Sequence, residues 1–164
     1  MKMLIAIFST LAILPTTKLA QAAESGSMEV IYGHTWMTSC FDSDFDGSEK
    51  YEIIFVKSTN RMVKTAVIYK DYDCSQELKR FDPISYSITT LGTNYNVIHI
   101  DAILAESKGS EYPIGKEYAM ILSKGKKRLY ISEENTVFRE ANGSLRKEQC
   151  LNKNLCEDLD LFAK

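Results

Sequence analysis

Three carboxylates at alternate positions followed by a glycine, Asp42-Ser43-Asp44-Phe45-Asp46-Gly47, are the residues whose types and spacing come nearest to chemistry. Oxygens at every second residue can wrap a hard cation, and a glycine permits the sharp turn such a loop needs. With Glu49 close behind, Asp42, Asp44, Asp46 and Glu49 form a candidate calcium ligand set. The segment copies the first half of an EF-hand loop and lacks the second. Ile53 stands where the bidentate glutamate belongs, and Glu52 falls one place early. The flanks read as strands rather than helices, so a solvated acidic connection is the stronger reading and calcium the weaker. No other cofactor is expected.

The next reactive groups are the thiols of Cys40, Cys74, Cys150 and Cys156, whose fate depends on compartment. Residues 1–3 supply a short positive start, residues 4–14 an apolar run, and Leu19-Ala20-Gln21-Ala22-Ala23 a small-residue exit. That is the build of a cleaved signal peptide over residues 1–22, leaving residues 23–164 as a single domain. Pro15 breaks the apolar run well short of the roughly 20 residues a membrane span requires. An exported protein, periplasmic or secreted, is therefore expected. An even number of cysteines in an oxidising compartment reads as two disulfides. Four cysteines allow three connectivities; Cys40 with Cys74 and Cys150 with Cys156 is favoured, the second pair closing a short loop. Zinc is disfavoured, since neither His34 nor His99 has ligand spacing to a cysteine.

Catalytic signals are sparse. The chain has no Gly-x-Ser-x-Gly elbow, no His-Glu-x-x-His, no phosphate-binding glycine loop, and two histidines to act as bases. His99 lies in an apolar run and reads as a core histidine. Glu133-Glu134 reads as a solvated rim, because neighbours on a strand point to opposite faces. Removing Lys2 and Lys18 takes the net charge from −2 to about −4, which argues against nucleic acid and anionic membrane as partners. The basic cluster Lys124, Lys126, Lys127 and Arg128 reads as a hairpin tip that protects an edge.

The elements that must position these groups are strands. Residues 29–41 are rich in β-branched and aromatic residues, and residues 51–56 form a compact apolar run. After Ser58-Thr59-Asn60, residues 62–72 alternate in the manner of a half-buried strand. A polar bend over 73–79 is followed by Ile84, Tyr86 and Ile88 at period two. Residues 95–104, 118–122 and 128–132 continue the pattern with tight turns between them. Residues 137–139 suggest one more short strand, residues 144–151 a helical turn or an extended segment, and the tail at 159–162 a return to the sheet. Such spacing predicts an all-β fold: an antiparallel up-and-down barrel, or a strongly curved meander, of about eight strands. Closure is preferred because it removes the edges.

Gly33-His34-Thr35-Trp36 resembles the opening strand of lipocalin-like barrels, in which a glycine and a tryptophan close one end, although the spacing here is one residue longer. Trp36 with Cys40, followed by Tyr69-Lys70-Asp71-Tyr72-Asp73-Cys74, is similar to a pattern in small exported bacterial proteins of unknown function. That resemblance implies that Cys40 and Cys74 pair. It also implies a late arginine, Arg128 or Arg139, packed on the face of Trp36.

These readings converge on an exported, soluble, non-catalytic binding protein, expected to be a monomer. A small apolar ligand inside the barrel is the first expectation, with Trp36, Tyr69, Tyr86 and Ile100 as lining residues. A protein partner, bound or inhibited through the loops at 42–50 and 106–116, is the alternative. An enzyme is the least favoured class.

Overall fold

The computed structural model describes residues 28–43, 47–94, 97–105, 114–152 and 156–164. The expected signal segment, Asp44 and Asp46 of the calcium set, and most of the 106–116 loop lie outside the described residues. The chain enters through a single helical turn, α1 (Met28–Ile31), where extended structure was expected. Its purpose is visible in packing: Ile31 is fully buried, and its carbonyl accepts a 3.0 Å hydrogen bond from Trp36 Nε1.

Strands follow in chain order: β1 (Thr35–Thr38), β2 (Phe41–Asp42), β3 (Ser48–Val56), β4 (Arg61–Tyr69), β5 (Glu77–Arg80) and β6 (Ile84–Asn94). The second half of the chain adds β7 (Val97–Leu104), β8 (Gly115–Leu122), β9 (Arg128–Arg139), β10 (Leu145–Gln149) and β11 (Asp158–Ala163). Eight of them, β1, β3, β4, β6, β7, β8, β9 and β11, pair in that order, and β1 pairs β11 to close the ring. Each pairing is antiparallel, so the fold is an all-β, closed eight-stranded up-and-down barrel. The remaining three lengthen its walls: β2 continues β1 along β3, β5 continues β6 along β4, and β10 continues β11 along β9. The polar stretch 73–79 and the ambiguous stretch 144–151 thus supply strands β5 and β10, because each finds an unpaired edge to complete. No helix among the described residues is long and apolar enough to cross a membrane.

Both favoured disulfides are present, Cys40–Cys74 and Cys150–Cys156. The first ties the β1–β2 corner to the chain leaving β4. Gly47 allows the approach, since a Cβ there would collide with the backbone oxygen of Tyr69. The second closes an insertion. Between the pairs Gln149↔Asn135 and Asp158↔Ser132, eight residues on one side match two on the other, leaving six extra residues. The backbone N–H of Cys150 donates to Glu134, and that of Glu133 donates to Glu157, so the ladder resumes at once beyond the insert.

Alternation then decides what lies inside. Ile53, Phe55, Met62, Ile88, Ile98, Ile100, Met120, Leu129, Ile131 and Leu161 join Trp36 in one buried cluster. This packed core occupies the end of the barrel beneath α1, where the β3–β4 and β8–β9 connections also lie.

Candidate functional site

Toward the other end of the barrel, four inward strands change character within one alternation step. Met62 gives way to Lys64 on β4, Tyr118 to Lys116 on β8, Ile131 to Glu133 on β9, and Leu159 to Glu157 at the start of β11. The result is an ionic layer of two ammoniums and two carboxylates. Glu157 accepts from Lys64, from Lys116 Nζ at 3.1 Å and from the Tyr118 hydroxyl at 2.7 Å. Glu133, almost fully buried, accepts from Lys116 Nζ at 2.8 Å, from the Thr136 hydroxyl at 2.8 Å and from the Glu157 N–H at 3.0 Å. Each carboxylate therefore has several donors, the condition under which buried charge is tolerated.

The electrostatics follow from that arrangement. Burial by itself would raise the Glu157 carboxyl, but the Lys64 and Lys116 ammoniums outweigh it and hold the group down at about 2. Burial would likewise lower Lys116, and Glu157 and Glu133 reverse that, raising it. Tyr118 is pushed up, first by burial and then by the Glu157 charge, so its hydroxyl stays a donor. Tyr86, half-buried nearby, is raised by burial and by Glu157.

Above this layer the barrel opens into a cavity of about 510 Å³ against the inner face of β3, β4 and β6. Its walls are aromatic and aliphatic: Tyr51, Phe81 and Tyr86 stand with Ala66, Ile68 and Ile84. Lys64 marks its floor, with Nζ 4.0 Å from the centre of the Tyr51 ring, while Glu49 and Asp82 stand in its wall.

The four expected lining residues are not brought together. Tyr86 lines the cavity. Trp36 and Ile100 are fully buried in the packed core. Tyr69 belongs to a separate small cluster with Val67 and Cys74 that the Cys40–Cys74 disulfide covers, and Lys50 lies over its ring. The alternation in β4 was legible, but its inward face is the one carrying Lys64, Ala66 and Ile68. Val67 and Tyr69 are buried because the disulfide corner lies over the outside of the barrel.

Among the calcium candidates, register places Asp42 opposite Ser48 and Glu49 opposite Phe41. Asp42 and Glu49 therefore project to opposite faces of the hairpin. Among the described residues no group of three or more metal-ligating side chains converges. Arg128 does not pack on Trp36: it pairs with Asp160 and lies 5.6 Å from the centre of Phe162, whereas His34 meets the Trp36 ring edge-on at 5.6 Å.

His99 is not a core histidine either. It faces outward from β7, half-buried, with Nδ1 2.9 Å from Glu134 Oε2 beside a hollow of about 300 Å³. Among the described residues it bonds no hydroxyl or thiol that could serve as a nucleophile. Glu133 and Glu134 do point to opposite faces, but Glu133 is buried in the ionic layer rather than on a solvated rim. The residues missed from sequence are thus Lys64, Lys116, Glu133 and Glu157. Glu133 carried a signal, since it shares period two with Leu129 and Ile131; Glu157 carried none, because the insert before it hides its register.

No family model matches the chain, and no curated protein or solved structure matches it.

Proposed function

We propose that the protein is an exported, non-catalytic binding protein of lipocalin-like build that carries a small, largely apolar molecule at the open end of its barrel. One observation supports this reading above the others: the cavity of about 510 Å³ stands over the ionic layer at Lys64 and has aromatic and aliphatic walls. Sites for small molecules usually occupy about 300–1,000 Å³, are mostly apolar, and hold a few polar groups that orient the ligand. Lys64, Tyr86, Glu49 and Asp82 are the polar groups available here. The lipocalin-like assignment draws on the glycine and tryptophan at the start of β1 and on the up-and-down order of the strands.

The test uses protein secreted from cells and the neutral fluorophore N-phenyl-1-naphthylamine. Saturable fluorescence enhancement is expected, and it should disappear in Ala66→Trp, which fills the cavity from its wall while leaving the core untouched. Native mass spectrometry of the same preparation reports any copurified molecule and the removal of residues 1–22. A correctly processed protein that neither carries extra mass nor binds the fluorophore would overturn the reading.

A further inference from the structure

We propose that the molecule bound in this cavity is a hydrophobic cation, an amine or quaternary ammonium with an apolar body. The inference rests on the cavity being a ligand site, as proposed above.

Charge complementarity carries it. The ionic layer is neutral in itself, since Lys64 and Lys116 balance Glu133 and Glu157. Glu49 and Asp82 are different. Both line the cavity, and among the described residues neither has an ion-pair partner. The wall therefore carries two carboxylates that no ion pair among the described residues neutralises.

The aromatic groups point the same way. A ring presents its negative face to a cation within about 6 Å. Lys64 Nζ stands 4.0 Å from the centre of Tyr51, and the exposed Lys79 holds its Nζ 4.4 Å from the centre of Phe81. Two of the three rings in the wall thus already receive ammonium groups from the chain, and Tyr86 completes the set. An anionic head group finds the opposite. Among the described residues the cationic side chain in the wall is Lys64, which is bound to Glu157, and drawing it away would strip a buried carboxylate of a partner.

The experiment displaces N-phenyl-1-naphthylamine from the whole mature protein with two amphiphiles of equal chain length, octyltrimethylammonium and octyl sulfate, below their micellar concentrations. The ammonium should displace the probe at a concentration at least about tenfold lower, a factor equal to about 1.4 kcal/mol. That preference should shrink as salt is raised. It should vanish in the double variant Glu49→Gln/Asp82→Asn, read as the ratio of the two displacing concentrations in that variant, whatever its own affinity for the neutral probe. Equal displacement by both amphiphiles, preference for the sulfate, or a preference that survives the double variant would overturn the inference while leaving the cavity's role intact. Failure of the wild-type protein to bind the neutral probe at all would overturn both.

Discussion

The two ends of this barrel are built from the same strands and do opposite things with them. Beneath α1, Trp36, Phe55, Met62, Ile98 and Leu129 are fully buried, and the Trp36 indole N–H is satisfied by a backbone carbonyl. At the other end, the next inward positions on β4, β8 and β9, and the residue just before β11, carry Lys64, Lys116, Glu133 and Glu157, with an open cavity beyond them. Hydrocarbon packing needs no particular partner and seals the closed end by volume. The ionic layer depends on every donor finding its acceptor, so it marks a plane rather than a filling. The packed hydrocarbon lies on one side of that plane, and the cavity proposed to bind a ligand lies on the other.

The sharpest way to break this division is at the closed end. Trp36→Ala should cost about 3–5 kcal/mol by opening a cavity in the packed core, a large share of the roughly 5–15 kcal/mol that holds a domain folded. Urea denaturation would measure it. Whatever protein remains folded should keep its binding at the open end, and a variant that stayed stable yet lost probe binding would show that the ends are not separate.

Glu157→Gln tests the plane itself. It leaves Lys64 and Lys116 facing a single carboxylate, and breaking a buried pair in this way costs about 3–5 kcal/mol. The pH dependence carries a definite sign. Glu157 titrates at about 2 in the folded protein against an ordinary 4.5, so its stabilisation is fully present above about pH 4.5 and is lost as pH falls toward 2. The shift corresponds to about 3 kcal/mol. Stability measured from pH 6 to pH 2 should fall less steeply in Glu157→Gln than in the wild type; identical profiles would show that the acid-labile group lies elsewhere.

The closed end was the more legible of the two because its signal is periodic. Ile53 and Phe55, Ile98 and Ile100, and Leu129 and Ile131 each recur at period two, a pattern that marks strands and an antiparallel order, whereas closure is preferred over a curved meander because it removes the edges. Trp36 was expected at a barrel end and stands there. The open end depends on information that alternation does not hold. Tyr69 looks like any inward aromatic, and only the covering disulfide reveals that it is buried on the outside. Lys64 looks like the solvated partner of Val63, and only its contact with Glu157, far along the chain, turns it inward. Glu157 follows an insertion whose length decides its face, and a sequence does not state where a ladder resumes.

That insertion supplies the smallest effect and the finest test of how the plane is set. Cys150 and Cys156 bracket five of the six extra residues of the strand that becomes β11, Cys156 being the sixth, and Glu157 follows immediately. In the chain-entropy picture a loop this short contributes about 2 kcal/mol, against about 4 kcal/mol for the longer loop closed by Cys40–Cys74. Cys150→Ser/Cys156→Ser should therefore lose about 2 kcal/mol, less than either single substitution above. The informative quantity is its coupling to Glu157→Gln. If the disulfide fixes where the ladder resumes, then opening it already loosens the Glu157 carboxylate from Lys64 and Lys116. Combining the two changes should then cost less than their sum by at least about 0.5 kcal/mol. Strict additivity would mean that the β9–β11 ladder places Glu157 unaided, and that the disulfide acts only by constraining the unfolded chain.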